Sequence, residues 1–152
     1  NTRDLEQLTL YKHPWPSKVS QSLLRFPRNH AMDIHNVNDV PAFTTKDGSE
    51  IRELLAHRNS LIKNQSLAEA RVAPGLATQL HYHPLTEEIY YILSGTGEIT
   101  IDDETKMVQP GDAIAIAPGA LHTIHNTGEH TLVFLCCCAP SYEHHDTVLI
   151  DE

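Results

Sequence analysis

The chain has 152 residues, with 11 Lys+Arg against 20 Asp+Glu and a formal net charge of −9. That length suffices for one domain with a real hydrophobic core. The negative balance argues against nucleic acid or an anionic membrane as the main partner, since both require a basic surface, and no apolar run approaches the ~20 residues of a membrane span.

The opening stretch, NTRDLEQLTLYKHP, holds no apolar h-region and does not read as a signal peptide. KHPWPSK is punctuated by proline and cannot be a helix interior. It predicts an extended segment with Trp15 anchored on the same chain or on a second subunit. IHNVNDVPAF reads as a short strand or loop, and KDGSE, residues 46–50, as a turn. IRELLAHR fits either a short helix or a strand, and periodicity does not decide between them.

From Asn64 onward the rhythm is that of strands. SLAEARV alternates, with Ala68, Ala70 and Val72 on one face. APG turns the chain, LATQLHYH follows, and PLTE links it to EIYYIL. SGTG makes a tight turn. EITI runs into the acidic turn IDDETK and on to MV; QPGD turns, AIAIA is a compact apolar strand, and PGA turns again. LHTIHN alternates, TGEH turns, and TLVFLCCC is strongly apolar. Short strands separated by Gly/Pro turns predict an all-β sandwich or barrel. Residues 1–50 are expected to form an N-terminal arm and extra strands packed on a barrel made by residues 51–152. The Trp15 arm and the apolar last strand together predict a homodimer.

The metal-competent donors concentrate between Gly75 and Gly95. His81 and His83 are two apart and share a strand face with Gln79, while Leu80 and Tyr82 take the other. Glu88, Tyr90 and Ile92 share a face of the next run. Two imidazoles and a carboxylate converge if these two runs pair as antiparallel strands. His122, after the Pro118-Gly119 turn, is the candidate for a third imidazole. Such a set suits Mn²⁺, Fe²⁺, Co²⁺, Ni²⁺, Cu²⁺ or Zn²⁺. Mn²⁺ and Fe²⁺ come first because both accept six-coordination by N and O donors, which leaves two positions open for a substrate or dioxygen. His13, His30, His35, His57, His130, His144 and His145 have no usable spacing and read as surface or turn residues.

At these residues the chain resembles a known family. Gly75-x5-His81-x-His83-x4-Glu88-x6-Gly95 is similar to the first cupin motif at every defining position. Gly111-x7-Gly119-x2-His122-x3-Asn126 is similar to the second, with Ala117 in place of the usual proline two before Gly119. The chain thus resembles a small single-domain cupin. The flanks SLAEARVAPG and LCCCAPSYEHHDT resemble bacterial cupins described as mannose-6-phosphate-isomerase-like. The resemblance implies a double-stranded β-helix, or jelly-roll barrel, with His81, His83, Glu88 and His122 as metal ligands inside its mouth. Cupins of this size include dioxygenases, decarboxylases, isomerases, lyases and sugar binders, and the fold does not choose among them.

The expected function is a metalloenzyme acting on a small organic acid, enol or sugar derivative, with Gln79 and Tyr90 lining the pocket. The alternatives are a non-catalytic metal-dependent binder of a small molecule or sugar, and a barrel that the metal only stiffens. Tyr90 is a candidate acid or base, because a nearby cation lowers a phenol's pKa from its reference of about 10; cupin lyases that cleave dimethylsulfoniopropionate carry a Tyr in the corresponding place. The alternative role for Tyr90 is to fill the barrel. Cys136, Cys137 and Cys138 form no disulfide framework and fit a reducing, cytoplasmic compartment. Their reading as core packing is preferred over a redox sensor or a soft-metal site.

Overall fold

The computed structural model describes residues 32–150. The expectations for Trp15, His13, His30 and the rest of the arm up to residue 31 lie outside the described residues. All described strands fall in one compact unit, Asp33–Glu152. They are β1 (Phe43–Thr44), β2 (Glu50–Leu55), β3 (Ser66–Val72), β4 (His81–Tyr82), β5 (Glu87–Ser94), β6 (Gly97–Ile101), β7 (Glu104–Val108), β8 (Ala113–Ile116), β9 (His122–Asn126), β10 (Leu132–Ala139) and β11 (Val148–Leu149). Two single-turn 3-10 helices, Val37–Asp39 and His144–Asp146, complete the described elements.

The strands form two antiparallel sheets, six-stranded in the order β1-β2-β3-β10-β5-β8 and five-stranded in the order β11-β4-β9-β6-β7. From β3 onward the chain passes from one sheet to the other at every step except the β6–β7 hairpin, which is the double-stranded β-helix. IRELLAHR resolves as strand β2 over Glu50–Leu55, because β3 offers it a full antiparallel partner. Pairing with the next strand thus settles what local periodicity leaves open.

Period-two alternation places the core. On β5, Glu88, Tyr90 and Ile92 point inward and Glu87, Ile89, Tyr91 and Leu93 outward. On β10, Leu132, Phe134, Cys136 and Cys138 point inward. On β9, His122, Ile124 and Asn126 do so. Ile92, Ile124, Leu132 and Phe134 close the core, all at most 1% exposed.

The inward positions change character along each strand. β5 runs Ile92, Tyr90, Glu88; β10 runs Phe134, Cys136, Cys138; β9 runs Asn126, Ile124, His122. The apolar packing therefore gives way to polar groups toward one end of the sandwich.

Two motif residues hold this frame rather than the site. Gly95 has φ 84°, a conformation that favours glycine. A Cβ there would also lie 2.8 Å from the Leu132 Cα. Asn126 donates Nδ2 to the carbonyls of Val72 (2.8 Å) and His130 (2.9 Å) and accepts from the Gly128 N–H (3.0 Å). It locks the turn between β9 and β10.

Candidate metal centre

Strand β4 lies between β11 and β9, and His81 is the direct cross-strand partner of His122. Such partners carry their side chains side by side on one face, and the two rings are 4.1 Å apart between centroids. His83 follows one residue beyond β4 on the same face. The ligand atoms of His81, His83 and His122 all fall within 4.8 Å of one another. Glu88 comes from the other sheet. Its Oε2 is 3.5 Å from Nε2 of His83 and 3.5 Å from Nε2 of His122.

This arrangement corrects one step of the sequence reading. The His81–His83 run and the Glu88 run are not paired neighbours. β5 pairs with β10 and β8, in the sheet opposite β4. The link between them crosses the sandwich instead of making a hairpin. Four extended residues reach roughly 13–14 Å, enough for the ~10 Å between facing sheets. The donors converge by facing each other, not by lying side by side.

Backbone carbonyls orient every imidazole. Nδ1 of His81 donates to Gln79 O (2.7 Å), Nδ1 of His83 to Asp146 O (3.3 Å) and Nδ1 of His122 to Ala120 O (3.0 Å). A carbonyl only accepts, so each ring carries its proton on Nδ1 and keeps an Nε2 lone pair for the interior. That is how metal-binding histidines are commonly held. The two motifs also touch directly: the Gly119 N–H donates to His83 O at 2.8 Å.

The residues fit a divalent cation. Among the described residues, Glu88 Oε2 and His122 Nε2 are buried without a hydrogen-bond partner. Leaving such groups unpaired costs on the order of 1–3 kcal/mol each, and a coordinated cation satisfies both. Burial lowers the pKa of His81, followed by the effect of His122, which favours the neutral ligand form. Burial also opposes ionisation at His83 and Glu88, yet their mutual pairing outweighs it. His83 is raised, and Glu88, facing the His122 and His83 imidazoles, is held at about 2.

The site opens into a small cavity. Its wall includes His81, His83, Glu88 and Tyr90. Tyr90 packs on Phe134 with ring centroids 4.6 Å apart and meets the His122 ring edge-on at 6.1 Å. Burial, then the Glu88 charge, pushes its phenol well above the usual value. In the metal-free protein Tyr90 is thus a protonated phenol, while the lowering expected from sequence is the effect of a nearby cation.

Gln79 does not line the cavity, contrary to the sequence reading. Its side chain is exposed, with Nε2 3.4 Å from Ile150 O. Regular pairing starts only at His81, so the alternation of β4 does not extend back to Gln79. Its contribution is the backbone carbonyl that orients His81.

The cysteine triplet splits by face. Cys136 belongs to the core, as expected, while Cys137 points outward. Cys138 lines the cavity and donates its thiol to Glu88 Oε1 at 3.3 Å, a role beyond packing.

Sequence reasoning also missed Asp146. Its Oδ2 accepts from the backbone N–H groups of Thr86 (3.0 Å) and Leu85 (3.4 Å), while its carbonyl orients His83. The turn read at residues 46–50 brings Asp47 and Ser49 to the cavity wall. Neither carries a local signal, because both reach the site through contacts distant in sequence.

Comparison with known proteins agrees with this geometry. The cupin domain profile matches residues 68–138. An uncharacterized protein of Methanocaldococcus jannaschii is 47% identical over 112 residues, covering 74% of this chain and 90% of the relative. An oxalate-binding protein of Thermotoga maritima is 34% identical over 86 residues, covering 57% of this chain and 71% of the relative. The crystal structure of a predicted oxalate decarboxylase from Thermotoga maritima superposes with a TM-score of 0.63 at 26% identity, covering 70% of this chain and 98% of the other.

Proposed function

The chain belongs to the cupin family, and from that footing we propose that it is a metal-dependent cupin acting on a small organic substrate, a carboxylate, enol or sugar derivative. His81, His83, His122 and Glu88 hold one divalent metal, with Mn²⁺ or Fe²⁺ ahead of Zn²⁺, Ni²⁺, Co²⁺ or Cu²⁺. The observation that carries this reading is the buried pair Glu88 Oε2 and His122 Nε2, 3.5 Å apart and neither with a hydrogen-bond partner. When bound, the metal supplies Lewis acidity to a carbonyl or carboxylate of the substrate.

The chain's own residues supply the rest. The sandwich interior keeps bulk water away from the donors. The cavity beside the donors supports a small-molecule substrate. Tyr90 stands on the wall beside His122 as a neutral phenol and is proposed as the group that delivers a proton to the substrate. The reaction class stays within those of small cupins: dioxygenase, decarboxylase, isomerase or lyase.

The test is elemental analysis of purified and Mn²⁺- or Fe²⁺-reconstituted protein, followed by turnover assays on small carboxylates and sugars in air. One metal per chain is expected, lost in His81→Ala plus His122→Ala, with turnover abolished by chelation. Wild-type protein that takes up no metal sinks the reading. A second reading, a non-catalytic binder, is favoured by the relative described as oxalate-binding; ligand binding without turnover selects it.

A homodimer is part of the proposal. Ile89, Tyr91 and Leu93 stand outward on β5 at 49%, 42% and 42% exposure, which supports cover by a second copy. Light scattering at micromolar concentration checks it. Among the described residues no helix is long and apolar enough to cross a membrane. The free thiols of Cys136, Cys137 and Cys138 support a cytoplasmic location.

A further inference from the structure

The two oxygens of Glu88 have different surroundings. Oε2 faces Nε2 of His83 and His122 and has no hydrogen bond. Oε1 accepts from the Cys138 thiol at 3.3 Å. Cys138 on β10 lies in register with Glu88 on β5 and with Ser66 on β3. The Ser66 Oγ accepts the Tyr142 N–H at 2.9 Å. Three adjacent strands thus align Ser66, Cys138 and Glu88 in one row, with the Cys138 S–H directed at Glu88 Oε1. Ser66, Cys138 and Glu88 are 5%, 3% and 5% exposed, so bulk water does not replace these bonds.

We infer that Cys138 is a positioning residue, whose thiol holds Oε1 of Glu88 and leaves Oε2 as the single oxygen offered to the metal. The inference rests on the reading of Glu88 as a metal ligand. A carboxylate's terminal torsion is broad and roughly two-fold, so an untethered Glu88 is free to present either oxygen or both. A thiol is a weak donor, but here it meets a desolvated anion. Cys136 and Cys137 do not share this role, since one packs in the core and the other faces away.

The experiment compares wild type, Cys138→Ser, Cys138→Ala and Cys138→Val, each checked for fold by circular dichroism. Mn²⁺ affinity is measured by calorimetry and coordination by the visible spectrum of Co²⁺-loaded protein. Cys138→Ala is expected to weaken Mn²⁺ binding by about 10–100-fold and to change the Co²⁺ spectrum. Cys138→Ser keeps a donor and is expected to restore both toward wild type. Cys138→Val, which has no donor but fills the space, is expected to lose affinity as Cys138→Ala does, and carries the comparison if Cys138→Ala does not fold. Wild-type affinity in a folded Ala or Val variant overturns the inference, and so does equal loss in the Ser and Ala variants. If wild type takes up neither metal, the metal-centre reading itself falls. The hydrogen bond is then judged by the infrared S–H band of metal-free protein, where no downshift relative to a free thiol removes the Cys138–Glu88 bond as well.

Discussion

Replacing Asp146 by alanine tests how the C-terminal segment supports the site. The Asp146 carboxylate is the acceptor for the Thr86 N–H at 3.0 Å, and Thr86 is only 2% exposed. Asp146 itself is 7% exposed, so water does not readily take over. A hydrogen bond to a charged group contributes about 1.5–3 kcal/mol. The Leu85 N–H, at 3.4 Å, adds a fraction of that. Asp146→Ala is therefore expected to destabilise the fold by about 2–4 kcal/mol. Asp146→Asn keeps an oxygen acceptor and should lose about 1 kcal/mol or less. The same residue's carbonyl receives His83 Nδ1. Loosening it should weaken Mn²⁺ binding in the Ala variant by about 10–100-fold. Urea unfolding followed by circular dichroism gives the stability, read as a midpoint shift at constant m, and calorimetry gives the affinity. Wild-type stability in Asp146→Ala would refute the clamp on the loop. A stability loss with unchanged Mn²⁺ affinity would refute the link to His83.

Three further outcomes follow from the site. Dialysis against a chelator should lower the melting temperature by about 5–10 °C relative to protein at a hundredfold excess over Kd, because a ligand at that excess stabilises by about 2.7 kcal/mol; an unchanged melting temperature argues against the metal. Glu88 is held at about 2 against an ordinary 4.5, a depressed carboxyl. Its contribution to metal-free protein is therefore complete above pH 4.5 and lost as pH falls toward 2, on the order of 3 kcal/mol in all. Acid titration of stability should show this loss in wild type and a flatter curve in Glu88→Gln. Once a substrate is found, Tyr90→Phe should slow turnover by about a hundredfold with metal content unchanged, and an equal rate would leave Tyr90 as packing against Phe134.

The metal-competent residues were legible because their spacing is local and the strand period is two. His81 and His83 had to share a face, and Glu88 had to share one with Tyr90. The runs EIYYIL, LHTIHN and TLVFLCCC became β5, β9 and β10 with the expected alternation. Which strand lies beside which was not legible, because pairing is set by contacts between segments far apart in sequence. That is why the spacing alone makes the His81 and Glu88 runs look like neighbours, while β2 is decided only by its pairing with β3. Asp146 was invisible for the same reason: it reaches His83 from 63 residues away. Gln79 failed differently, by extending a strand's alternation beyond where the strand begins.

The division of the donors between sheets has a consequence for how this protein can vary. His81, His83 and His122 belong to the five-stranded side and Glu88 to the six-stranded side. A cation held by all four therefore ties one sheet to the other, at the end where apolar packing has given way to Cys136, Cys138 and the cavity. At the opposite end Ile92, Ile124, Leu132 and Phe134 do that work without help. Filling the cavity with apolar side chains would strengthen the open end by burial, yet remove the space a substrate needs. Leaving it open makes that end depend on the metal. Stability at the mouth and access for a ligand are thus opposed through the same few positions, and substitutions there should move melting temperature and ligand affinity in opposite directions. Ala68, on the cavity wall and in register with Cys136, is the position to examine. Ala68→Val should raise the melting temperature of metal-free protein and weaken binding of any ligand found in the screen. A variant that gains both stability and affinity would show that the cavity is not where the ligand sits.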